Sequence, residues 1–202
     1  MSCSRTTKEE IIMKKLTTKE LTIASIMTAM VIVFQLIATF TTFFGPFSTA
    51  LALIPIVIGA AMCGAGVGAW LGFVFGMVVL LSGGANLFFM FNVPGTIITV
   101  LAKGTLCGFM AGIVYKLGKK VNTYFGTVFS ELICPVTNTA IFLIGSAVFF
   151  LDSASKIAET VGIQSSGFSV FVALALANFV FEILLNVVLC PVIVRLLNIR
   201  KK

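Results

Sequence analysis

The sequence holds no histidine, and that single absence removes the serine-histidine dyad and every helical histidine motif for metal. Charge is scarce as well, at 10% of residues against 59% hydrophobic, too little polar surface to solvate a compact globule of this length in water. Cysteine is present but unorganised: Cys3, Cys63, Cys107, Cys134 and Cys190 are odd in number, scattered and free of any CxxC. Neither a disulfide framework nor a zinc site follows, and the thiols read as small apolar packing residues. Glu131 and Glu182 do not form the adjacent carboxylate pair of membrane-embedded prenyl proteases. The glycine run Gly64-Ala-Gly-Val-Gly68 lacks the lysine and hydroxyl ending of a phosphate loop, so it is no nucleotide site. The sequence therefore predicts no catalytic residue, no metal, no cofactor and no enzyme, and any driving energy comes from a partner or an ion gradient.

What is present is a succession of long apolar runs. A membrane helix takes roughly 20 predominantly apolar residues, and six such segments occupy nearly everything between Lys15 and Arg200. The expected fold is an all-α integral membrane protein of six transmembrane helices. Residues 1–17 form a cytoplasmic lead, 18–197 the membrane domain and 198–202 a basic tail. The formal charge of +7 sits in short clusters between spans, the distribution of orientation signals rather than of a nucleic-acid surface. The first apolar run exceeds a signal-peptide core and has no small-residue cleavage site after it, so it is expected to be retained.

Along the chain, Thr17-Thr-Lys-Glu20 reads as a capping box that opens the first span, which runs to about Phe40. A turn over Thr41 to Pro46 leads to a second span ending near Met62. The tight Cys63-Gly-Ala-Gly66 connection joins it to an antiparallel third span, Val67 to Leu81. Gly64, Gly68, Gly72 and Gly76 recur every four residues, a stripe along which another backbone approaches closely. Ser82 to Gly95 mixes glycine, asparagine and aromatics and reads as a loop or re-entrant lid. A fourth span over Thr96 to Tyr115, a basic loop at Lys116 to Lys120 and a long fifth segment over Val121 to Leu151 with a kink at Pro135 follow. A non-helical polar loop is expected over Asp152 to Ser166, then a sixth span from about Gly167 to Leu197. Lysine and arginine gather in the lead, the Lys116 loop and the tail, so the positive-inside rule puts both termini in the cytoplasm and the other three connections outside.

Ionisable residues inside spans carry the functional information, because each costs roughly 2.5 to 3.5 kcal/mol at a helix centre and seldom faces lipid. Lys103, Glu131 and Glu182 qualify. Lys103 shares a face with Thr96 and Thr99, Glu131 with Asn138, and Glu182 with Asn178 and Asn186, so the last three spans each present a polar seam. Two accounts stand. In one, Lys103 neutralises a glutamate and the asparagines bond across helices. In the other, the seams line a solvated site for a small solute, with Asn92 and the loop aromatics near its mouth.

Three stretches carry a family resemblance. They are Ile23-Ala-Ser-Ile-Met-Thr-Ala-Met30, the glycine-rich Ile58 to Phe73, and Lys103-Gly-Thr-Leu-Cys-Gly-Phe-Met-Ala-Gly112 with Pro135-Val-Thr-Asn-Thr-Ala-Ile-Phe142. Together they resemble the substrate-binding S components of energy-coupling factor (ECF) vitamin transporters over nearly the whole length. Ser25 stands where the family's alanine-x-x-x-alanine patch has its first alanine. The Pro-x-x-Asn-Thr-x-x-Phe pattern is similar to the pantothenate-type branch. The resemblance implies a plasma-membrane protein that captures a water-soluble vitamin from outside. It works with a membrane T component and two ABC-type ATPases that topple it in the bilayer. It implies Asn138 and Thr139 as ligand contacts, with Ser25, Ala29, Gly64 and Gly68 on the partner-facing surface. Two other readings remain open: an autonomous carrier or channel relaying ions or protons through Glu131 and Glu182, and an assembly subunit using its glycine stripe.

Overall fold

The computed structural model describes residues 17–41, 50–161 and 168–199. The polar lead, the Thr41 turn beyond its first residue, the end of the Asp152 loop and the basic tail lie outside the described residues. Helices make up the described chain: α1 (Thr18–Thr41), α2 (Ala50–Cys63), α3 (Ala65–Leu81), the short α4 (Asn86–Phe89), α5 (Val93–Gly118), α6 (Thr123–Phe149), α7 (Ala154–Val161) and α8 (Ser169–Ile199), with one 3-10 turn at Leu151–Ser153. No strand occurs among the described residues.

Local chemistry starts these helices where the sequence says it should. Thr17 accepts from the Glu20 amide at 3.4 Å through its hydroxyl, and its own amide donates to the Glu20 carboxylate at 3.0 Å, the two halves of a capping box. Asn122 opens α6 by accepting from the Tyr124 amide at 3.1 Å. Between α2 and α3 a single residue turns the chain, Gly64 at φ 99°, a left-handed conformation that a Cβ would strain. The expected tight antiparallel connection is therefore one residue long.

On α6 and α8 rows of apolar residues face outward while polar residues are buried, the reverse of a water-soluble bundle's outer helices. On α6, Phe125, Phe129, Val136, Ile144 and Val148 are exposed, whereas Glu131, Asn138 and Ser146 are buried. On α8, Leu176, Val180, Leu184 and Val188 stand in an exposed row while Glu182 and Asn186 are buried. Helices α1, α5 and α6 are long and apolar enough to cross a membrane, and α2 and α3 are shorter apolar helices. This is an integral membrane protein.

The glycine stripe of α3 is matched by a second one on α5, and the two helices lie backbone to backbone. A Cβ on Gly72 would run into the Gly104 carbonyl and one on Gly68 into the Gly108 carbonyl; Gly104 and Gly108 meet the same obstruction in return. Helix α5 then packs on α6, and α6 on α8. Thr99 fills the space beside Gly145, and Gly118 lies against Gly126. These two contacts fix an antiparallel register that puts Lys103 at the level of Ile141.

One expectation is corrected. The stretch after Asp152, read as non-helical, contains α7, because Ala154 and Ile157 recur at helical spacing and bury against Phe150 and Phe171.

Candidate functional site

The seam between α5, α6 and α8 begins with what proline does to α6. Pro135 has no amide hydrogen, so the carbonyl of Glu131, one turn earlier, loses its helical donor. Asn186 of α8 supplies the replacement, its Nδ2 donating to the Glu131 carbonyl oxygen at 3.2 Å. One turn along α8, Glu182 accepts from Asn138 Nδ2 at 3.3 and 3.4 Å on its two oxygens. The α6 and α8 seams are thus joined at two levels, about 10 Å apart for the seven residues from Glu131 to Asn138.

Helix α5 contributes Lys103. Its ammonium stands 5.7 Å from the centre of the Phe142 ring, and Glu182 is the carboxylate whose charge it feels. Among the described residues it forms no hydrogen bond and no ion pair. Phe142 in turn meets Phe88 edge-on at 5.6 Å, and Phe88 meets Phe150 at 5.3 Å. The stretch expected as a lid therefore folds over the end of the seam, with α4 carrying the covering ring and Phe171 and Ile157 packed alongside.

Several buried polar atoms along this seam have no hydrogen-bond partner among the described residues: Oδ1 of Asn138, both carboxyl oxygens of Glu131, and the hydroxyls of Thr99 and Ser146. Burial is nearly complete, with Glu131 2% and Asn138 5% exposed. Such groups are rarely left bare, since an unsatisfied buried acceptor costs about 1 to 3 kcal/mol, and in a membrane no bulk water offsets it. Cys190 is the group beside Glu131, a thiol and hence a weak donor.

The remaining predicted site residues distribute as follows. Asn92 caps α5, accepting from the Gly95 amide at 3.0 Å and donating to the Phe149 carbonyl at 3.2 Å, so it clamps the α5 start to the α6 end. Thr139 is partly buried beside Asn138, and no described contact ties it to the seam. The side chain of Asn178 lies outside the described residues. Ser25 and Ala29 are exposed on α1, the Ser25 hydroxyl folded back onto the Leu21 carbonyl at 3.0 Å. Gly64 is exposed with open space around it, but Gly68 is buried against α5 and has no face left for another subunit.

Sequence reasoning missed Ser146, whose only signal is its position eight residues beyond Asn138, and the pairing of Asn186 with Pro135. It also passed over Gln35, buried at 2% exposure in α1 with Oε1 unpartnered and away from this seam.

With this geometry in place, the comparison with known families is decisive: the family model described as ECF transporter, substrate-specific component, matches residues 19–194. The chain belongs to that family. No match was found among curated proteins or solved structures. As an ECF substrate-specific component it is the substrate-binding subunit of a transporter rather than an enzyme, and membership implies association with a T component and ATPases and a small vitamin-like substrate.

Proposed function

We propose that this substrate-specific component captures a small water-soluble vitamin at the α5, α6 and α8 seam and hands it inward when the T component and two ATPases rearrange. The observation that carries the reading is the set of buried polar atoms, from Thr99 and Ser146 to Glu131, that have no hydrogen-bond partner among the described residues, beside a lysine with no ion pair among them. Pantothenate is the first solute to try, because the Pro135 to Phe142 pattern resembles that branch and its carboxylate suits Lys103. We take residues 18–197 to cross the membrane six times with both termini cytoplasmic, as the lysine and arginine distribution suggests, and on that reading the α4 and α7 end of the bundle faces outside. That end holds the seam's aromatic cover, so solute arrives there.

The purified chain alone in lipid nanodiscs is expected to bind its vitamin one to one, with transport appearing only when the partner subunits are added. Flux in liposomes containing this chain alone, abolished by Glu182→Gln, would favour the autonomous carrier instead. Orientation is checked separately by labelling single cysteines in a cysteine-free background. A cysteine replacing Lys119 is expected to react only from the cytoplasmic side and one replacing Ser155 only from outside.

A further inference from the structure

The unpartnered groups of the seam are not a random mixture. At the end covered by Phe88 stands a donor-only cation, Lys103, whose ammonium has no hydrogen bond or ion pair among the described residues. Beyond it lie oxygens with acceptor capacity: Asn138 Oδ1, whose amide nitrogen is already turned to Glu182, and then the carboxyl oxygens of Glu131, which stand beside the Cys190 thiol. The amide orientation follows from the chemistry, since an ionised carboxylate accepts and so draws the Asn138 nitrogen toward it. Glu131, Asn138 and Phe142 share one face of α6, at intervals of seven and four residues. The order from the covered end is therefore donor, acceptor, acceptor, spread over about 10 to 15 Å of helix.

Resting on the capture reading above, we infer that the solute is bipolar: it carries an acid group at one end and hydroxyl or N–H donors at the other, and lies with the acid at Lys103 and the donors toward Asn138 and Glu131. A cationic solute would meet Lys103 first and lose, and a solute without donors would leave Glu131 and Asn138 as they are. The hydroxyls of Thr99 and Ser146 can give or accept, and since Thr99 lies against Gly145 they flank the acid end, about one turn beyond Lys103. Glu131 acts here as the reader of the inner end, which makes it a specificity residue rather than an ion relay.

The test is calorimetry on the full chain in nanodiscs with pantothenate and biotin, two acids bearing donors at their far ends. Panthenol, the alcohol analogue of pantothenate, and thiamine, a cation without an acid group, complete the panel. An acid probe is expected to bind at micromolar concentration or below. Where pantothenate binds, panthenol is expected at least tenfold weaker. Lys103→Met should weaken the bound acid at least tenfold and shift panthenol less than twofold. Glu131→Leu should weaken both, with Glu131→Gln, which keeps one acceptor, in between. Thiamine binding in place of the acids, or panthenol binding as tightly as pantothenate, overturns the bipolar assignment while the capture reading stands. Silence from all four probes removes both. Should Lys103→Met fail to fold, the comparison of pantothenate, panthenol and thiamine on the native chain still decides.

Discussion

Proline in the middle of a membrane helix is tolerated only when something replaces the hydrogen bond it deletes, and here the replacement has a name. Asn186 reaches from α8 to the Glu131 carbonyl that Pro135 leaves free. If that is its role, Asn186→Ala should destabilise the chain by about 1 kcal/mol, the scale of interhelical hydrogen bonds in membranes. The same change should cost almost nothing in a Pro135→Ala background, where the substituted residue donates its own backbone amide to that carbonyl. A double-mutant cycle read by denaturant unfolding in detergent measures the coupling; equal losses in both backgrounds would show that Asn186 works elsewhere. This pairing was not legible in the sequence, although its parts were. Lys103, Glu131, Asn138 and Glu182 stand out because ionisable and amide groups in apolar runs are expensive, but which of them meet depends on the rotation of α8 about its axis. Thr99 was placed on the Lys103 face by spacing alone, and Ser146 gave no signal, since hydroxyls in membrane helices ordinarily bond their own preceding carbonyl, as Thr96 does with the Asn92 carbonyl at 2.7 Å.

The four-residue glycine spacing on α3 was visible as a stripe, and tight internal packing was among its readings. What periodicity does not reveal is the partner, because it fixes a face and not the element that covers it. The covering element is α5, through Gly104 and Gly108, so the two stripes interlock carbonyl against glycine. Gly72→Ala inserts a methyl group where the Gly104 carbonyl already stands, and a backbone atom cannot rotate away as a side chain can. The expected loss is about 1 to 3 kcal/mol, the usual range for overpacking. Gly66→Ala meets open space and should leave the thermal midpoint in detergent within about a degree. Equal midpoints for the two variants would mean that α3 and α5 are not in backbone contact. The start of α1 was read more fully, since the capping box at Thr17 is local chemistry, whereas Asn92 was expected at the mouth of the site and instead caps α5, which starts at Val93, three residues before the expected Thr96. The stretch after Asp152 was misread for the opposite reason, its helix being visible only through the apolar spacing of Ala154 and Ile157 beneath a polar composition.

At the scale of the molecule, one consequence of the glycine interlock is that the bundle's closest-packed surface is internal, which moves any partner contact elsewhere. On α1, Thr22, Ser25 and Ala29 are exposed and small, and the Thr22 and Ser25 hydroxyls bond their own helix's carbonyls at 3.0 Å each. The face is therefore flat and effectively apolar, a surface against which another helix packs by van der Waals contact. Lipid chains would cover it equally well, so exposure alone does not choose between lipid and protein; a steric test does. Ala29→Trp raises a ring on the flat patch and should reduce recovery of the T component with the tagged chain at least fivefold, with solute binding unchanged because the seam lies on α5, α6 and α8. Val188→Trp, on the exposed row of α8, adds similar bulk to a face with no such patch and should leave recovery unaltered. Loss of assembly in both variants, or in neither, would remove α1 as the docking face, and the family's partner would have to meet this chain through a different helix.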